Sequence, residues 1–308
     1  MPATQLLFVI GKGGVGKTTV AAALARGAAQ RGGRVLVVET ASDGRLAALF
    51  GVDGLGSEPQ RLATRIAAVR IDSRQLVEAY FTRLLRVPLL ARRLLASTSF
   101  NALTAAAPGV TEFLILERLL GWVEPSGLLA RRAYDVVIVD GPATGHALAL
   151  LRTPRNLASM VPGGPIGTTA RRLLALLGDG ARTRVVLVTI PEELAINETL
   201  EAHAVLVGDL ALRVERPVLN RVFPRGFSRA DVVTLSATPD DATAGEGPLL
   251  AAARFRIAAR RDAERHAGRL RRALGATPIV LPQICTATLA APQLDLPARR
   301  LCNVLLSS

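Results

Sequence analysis

The chain has 308 residues, half of them hydrophobic but only 4% aromatic, and a formal net charge of +13. Its two cysteines, Cys285 and Cys302, exclude a disulfide scaffold and a cysteine-only zinc site within one subunit, and they fit a reducing compartment. So few rings argue against nucleic-acid recognition by base stacking, and no run reaches the 18 or so uncharged apolar residues that a membrane span requires.

The basic residues are 36 arginines and two lysines. That skew has the form of a base-composition bias rather than of a surface built for DNA or anionic lipid. The densest arginine cluster falls on a predicted helix, Leu249–Leu274, where it reads as a solvated face. Residues 1–10 lack a basic leader region, and the apolar run Leu6–Ile10 leads directly into a glycine-rich loop. The expectation is a soluble cytoplasmic protein.

In chain order, the first element is a strand over Leu6–Ile10, followed by Gly11-Lys12-Gly13-Gly14-Val15-Gly16-Lys17-Thr18 and an alanine-rich helix from Lys17 to Arg31. This satisfies the phosphate-loop pattern in its required strand–loop–helix context. Glycines let successive backbone N–H groups curl into an anion nest, and the helix points its positive end at the phosphates. Both lysines of the chain, Lys12 and Lys17, lie here. Lys17 has to reach the β- and γ-phosphate oxygens as a compact point charge from inside a tight loop, which a planar guanidinium cannot do. Thr18 offers a hydroxyl to Mg²⁺, and Thr19 stands beside it.

Further strands are predicted at Arg34–Glu39, Ile66–Ile71, Asp135–Val139, Arg184–Ile190, Pro217–Val222 and Pro278–Leu281. Their near-continuous Val, Ile and Leu content suits parallel strands buried on both faces, and helical patterns fill the gaps. The fold class is therefore α/β, a doubly wound and mostly parallel sheet. A long helical stretch from Ser73 to Arg132 exceeds a single crossover and reads as an insert over one end of the sheet. The expected organisation is one domain, 1–308, with a helical subdomain at about 73–132. Val136-Val137-Ile138-Val139-Asp140 is a buried strand that ends in an acid at the sheet edge where ligands bind, so Asp140 is the candidate Mg²⁺ acid. The residues after it, Gly141-Pro142-Ala143-Thr144-Gly145-His146, are turn formers suited to a switch.

These motifs carry a resemblance. KGGVGKTT resembles the deviant phosphate loop of the SIMIBI-type ATPases, and Asp140 to Leu151 (DGPATGHALALL) resembles the switch II of the ArsA/GET family. Ile190-Pro191-Glu192-Glu193 through Glu198-Thr199, Leu219-Asn220-Arg221 and Pro108-Gly109 are similar to further segments of that family. The resemblance covers nearly the whole chain. It implies a dimeric ATPase that uses ATP and Mg²⁺, paired with itself or with a paralogous subunit. Lys12 would reach the partner's nucleotide, Lys17, Thr18 and Thr19 would hold phosphates and Mg²⁺, and Asn220 would hydrogen-bond adenine. His146 would sense the switch or make an ordinary loop contact.

The chain also departs from the family. Where family members carry the water-orienting Asp past strand two, Ala41 stands here, within Glu39-Thr40-Ala41-Ser42-Asp43. Glu39 is similar to the first acid of MinD-like relatives and is a candidate cofactor-binding residue, Asp43 is the candidate substitute for the water-orienting acid, and turnover is expected to be low or to depend on a partner. No zinc or metalloid cysteine set is present. The insert holds two apolar runs, one over Leu84, Leu85, Val87, Leu89, Leu90, Leu94 and Leu95, the other over Phe113, Leu114, Leu116, Leu119, Leu120 and Trp122. They form either a groove for a hydrophobic helix or ordinary core. The leading reading is an ATP-gated switch with a client. The alternatives are a ParA/MinD-type positioning ATPase on DNA or membrane, and a weakly hydrolysing subunit that regulates a paralogue. Neither specific nucleic-acid binding nor stable membrane insertion is expected.

Overall fold

Eight strands form one sheet in the order β3-β4-β2-β5-β1-β6-β7-β8. They are β1 (Gln5–Ile10), β2 (Val35–Glu39), β3 (Gln60–Ala63), β4 (Ile66–Arg70), β5 (Val136–Asp140), β6 (Thr183–Thr189), β7 (Val218–Val222) and β8 (Ile279–Pro282). All neighbours run parallel except the edge hairpin β3–β4. The computed structural model describes residues 3–40, 44–85, 109–125, 132–161, 163–238, 247–286 and 289–305.

The chemistry of the strands explains the layering. β2, β5 and β6 are buried along their whole length, and β1 along all but its first residue. Alternate side chains enter two separate cores, as the period of a strand dictates. Leu7, Val9, Val35, Val37, Ile138, Val186 and Val188 face one core. Leu6, Phe8, Leu36, Val38, Val137, Val139, Val185 and Leu187 face the other. Each fully buried side chain of this size contributes roughly 1.5–3 kcal/mol, so the central strands dominate the stability of the sheet.

The first core is covered by α1 (Lys17–Gln30), α2 (Arg45–Leu49) and the C-terminal helix. Counting the α-helices of the described residues in chain order, these are joined by α3 (Ser73–Leu85), α4 (Val110–Val123), α5 (Thr144–Met160), α6 (Gly164–Gly178), α7 (Glu193–Ala204), α8 (Arg229–Ala237), α9 (Gly247–Leu274) and α10 (Asp295–Leu305). α1 is buried on nearly every side because α10 closes over it. Arg26 pairs with Asp295 at 2.6 Å, and Gly27 meets Cys302. α4, α5 and α6 cover the second core, where Phe113, Leu114, Leu116, Leu119 and Leu120 of α4 pack beneath the sheet and Trp122 sits at the margin. The second apolar run of the insert is thus ordinary core. In the first run, the backbone of Leu84 and Leu85 ends α3, and residues 87–95 lie outside the described residues.

The structure adds elements that the sequence patterns did not signal: the edge strand β3, the short helix α2, and α10. It also shortens the loop after β5. Thr144, Gly145 and His146 form the first turn of α5, so only Gly141, Pro142 and Ala143 are irregular. α9 carries its arginines as expected of a charged face, several of them spent locally. Arg260 bonds Glu264 at 3.0 Å, Arg269 bonds Asn197 at 2.5 Å, and Arg256 lies over the Phe223 and Phe227 rings. Among the described residues no helix is long and apolar enough to cross a membrane.

Candidate active site

The loop between β1 and α1 lies at the carboxyl edge of the sheet, flanked by β5 and β6. Its start is pressed against β6: a β-carbon on Gly11 would stand 2.1 Å from the Val188 carbonyl oxygen, so only glycine passes here. Gly14 and Gly16 take left-handed backbone conformations, with φ of 84° and 96°. Other residues reach that region only with strain. A β-carbon on Gly13 or Gly14 would meet nothing within 4 Å, so the outer side of the loop is open. Backbone N–H groups turned by such a loop form an anion cradle at a helix N-terminus.

The side chains around the loop fit that use. Lys17 folds back over it, its Nζ donating to the Lys12 carbonyl at 3.2 Å. Lys12, Lys17, Thr18 and Thr19 are all half-buried, while Val15 is buried and anchors the loop in the first core. Asn220, buried at the middle of β7, donates from Nδ2 to the Val15 carbonyl at 2.9 Å. The family resemblance implies a role for Asn220 toward adenine; the structure places its amide against the Val15 carbonyl of the phosphate loop.

Two acids lie beside this cradle. Asp140 pairs in register with Val9 of β1 on one side and with Glu39 of β2 on the other. Both acids are buried and share the sheet face that packs against α1. Glu39 Oε1 accepts from the Leu46 backbone N–H at 3.3 Å, which ties the end of β2 to α2. Thr40 locks the two strand ends together, its Oγ1 donating to the Asp140 carbonyl at 2.7 Å. Thr40 was not singled out from the sequence; a hydroxyl residue directly after a strand-ending acid was the available signal. Asp43, with Ala41 and Ser42, lies outside the described residues. His146 is exposed on the first turn of α5.

The group is chemically suited to a polyphosphate with a divalent cation. Inward amides and an ammonium meet the anion, while the Thr18 hydroxyl and the buried carboxylates offer hard oxygen donors. A cleft of about 680 Å³, lined by Arg70, Asp72, Tyr80, Arg118, Trp122 and Arg172 among others, lies on the opposite side of the sheet, between β4 and helices α3 and α4. It takes no part in this arrangement.

The family model for anion-transporting ATPases of the ArsA type matches residues 4–162, just over half of the chain, from β1 through α5. The chain belongs to the ArsA ATPase family. ATP binding and ATPase chemistry come with that membership. Among the similar proteins is ATPase BagA of Mycobacterium tuberculosis, 29% identical over 253 residues, a span that covers 80% of this chain and 74% of the relative. The arsenical pump-driving ATPases of Acidiphilium multivorum and Escherichia coli are each 28% identical over 244 residues, covering 74% of this chain. The ArsA-type chain described here spans only 41% of the length of either pump-driving protein.

Proposed function

We propose that this protein is an ATP-hydrolysing dimeric switch that uses Mg²⁺ and couples nucleotide state to a partner or client through the helical segment 73–132 of a single ATPase domain. The observation that carries the reading is the adjacency of the phosphate cradle, Asp140 and α5. Asp140 stands in register with Val9, two residues before the cradle begins. Only three residues separate it from the first turn of α5.

In this reading the amides of residues 13–18 and the Lys17 ammonium hold the phosphates, and Thr18 and Asp140 hold the cation. The bound cation supplies neutralisation of phosphate charge. Preorganised positive groups in a water-poor site are the main catalytic effect available to such a loop. Loss of the terminal phosphate removes the anion that holds Gly141 to Ala143, and α5 is the element that moves. α5 packs on α4 and α6 within the second core, which offers a path to the insert. Arg152 of α5 also pairs with Asp209 at 3.3 Å, linking the helix to the turn that follows α7. Lys12 completes the site of a facing subunit, either identical or paralogous.

Ala41 gives one specific reason for a second reading, in which the chain binds ATP, turns over little and regulates a paralogous ATPase. The relatives' arsenical role is not carried over, because the two cysteines serve no shared site: Cys302 is buried under α1 and Cys285 is exposed.

Sedimentation with Mg-ATP, Mg-ADP and no nucleotide, alongside phosphate release, tests the proposal. ATP-dependent dimerisation with turnover that Lys12→Ala abolishes is expected. A monomer under all three conditions would contradict it. A dimer that turns over only with a paralogue present would favour the regulatory reading.

A further inference from the structure

We infer that Glu39 supplies the second carboxylate for the divalent cation at Asp140, a cation ligand that this chain uses beyond the expected Thr18 and Asp140 pair. The inference rests on the reading of the loop as a nucleotide site. Its basis is the register of two neighbouring strands. Glu39 and Asp140 are direct partners on parallel strands, where adjacent backbones lie about 4.8 Å apart. Partners in register project to the same face, and here that face is the one covered by α1 and the phosphate loop. The relative exposure of Glu39 is 0% and that of Asp140 is 2%.

Two carboxylates so close and so buried repel when both are ionised, and burial raises the cost of each charge. A divalent cation held between them and the phosphates offsets that cost. The structure also fixes the geometry of Glu39. Its Oε1 is held by the Leu46 N–H at 3.3 Å, and the Thr40 hydroxyl bonds the Asp140 carbonyl at 2.7 Å. The two acids are thereby locked side by side before any cation arrives. An acid in this place also puts a negative charge near the triphosphate, and that charge favours nucleotide binding only when the metal is present.

This charge logic gives a signature that a merely structural role does not. With ADP and Mn²⁺ as probes, Mn²⁺ bound to the protein–ADP complex is counted by electron paramagnetic resonance, and ADP affinity is measured separately in EDTA. Glu39→Gln should weaken Mn²⁺ binding about tenfold or more while metal-free ADP binds as tightly as in the parent or more tightly. Glu39→Asp keeps the charge but withdraws it by one methylene. It should weaken Mn²⁺ measurably but less than the glutamine variant does, with metal-free ADP unchanged; it carries the test if the glutamine variant does not fold. Parent-like Mn²⁺ affinity in either folded variant overturns the role of Glu39, as does an equal loss of ADP with and without metal. A parent protein that binds no ADP at all overturns the site reading itself.

Discussion

Asn220 and Gly16 leave each other no spare room: a β-carbon on Gly16 would stand 2.4 Å from the Asn220 Nδ2, the atom that donates to the Val15 carbonyl at 2.9 Å. The middle of β7 is thereby keyed into the phosphate loop. Two substitutions probe the key from opposite sides. Asn220→Ala deletes a buried hydrogen bond and should cost roughly 1–3 kcal/mol of stability. Asn220→Asp puts an acceptor against the Val15 carbonyl and should weaken nucleotide binding more than alanine does. Melting and nucleotide titration of both variants check the order; if aspartate binds nucleotide better than alanine, the bond is not what shapes the loop.

Gly16→Ala faces two penalties at once, the left-handed φ of 96° and the collision with Asn220. Such backbone strain costs of order 1–3 kcal/mol. The loss should appear chiefly as lost nucleotide affinity, measured by calorimetry, because the strain falls on the cradle itself. Adding Asn220→Gly to Gly16→Ala should recover part of it, a non-additivity expected of residues in contact.

The crossing of α1 and α10 makes a separate prediction about stability. A β-carbon on Gly27 would stand 2.0 Å from the Cys302 sulfur and 3.1 Å from the Ala298 carbonyl oxygen. Gly27→Ala should therefore destabilise by about 1–3 kcal/mol, the usual cost of overpacking, even though alanine is the better helix former. Cys302→Ala should restore part of the loss. Urea unfolding of the two single variants and the double variant checks this, and an unchanged midpoint for Gly27→Ala would show that the helices part freely.

Cys302 also gives a pH dependence. Burial pushes its thiol up from 9.0 to about 11, so the folded state disfavours the thiolate. A raised folded value means that the stabilisation is complete below about pH 9 and is lost as pH rises towards 11, because the unfolded chain ionises first. Stability should therefore decline across that window, and less so in Cys302→Ala. At pH 8 the exposed Cys285 should react with a thiol reagent at once and Cys302 only on unfolding. Equal labelling rates would contradict the packing of α10.

These residues also show how far the sequence could be read. The parallel strands were legible because burial on both faces leaves an unbroken run of Val, Ile and Leu, as in residues 136–139. The phosphate loop was legible because its glycines, its lysine and the helix that follows have to be contiguous. β3 left no such trace: Gln60–Ala63 is a half-exposed edge strand with no apolar run to mark it. The first turn of α5 was hidden because Gly145 and His146 read locally as turn formers, and only packing of Thr144 and Ala147 makes them helical. The register of Glu39 with Asp140 and the contact of Gly27 with Cys302 depend on residues about a hundred and more apart in sequence, which no local pattern encodes. Asp43 and residues 87–95 of the first apolar run lie outside the described residues.

Everything functional in this account depends on a triphosphate seated in the loop of Lys12 to Thr19. Titration calorimetry of Mg-ATP into the parent and into Lys17→Ala tests that most directly. Saturable binding to the parent is predicted, with affinity at least about thirtyfold weaker in the variant, the roughly 2 kcal/mol floor for removing one partner of a buried charge pair. No heat with the parent, or equal affinity in the two proteins, would contradict it.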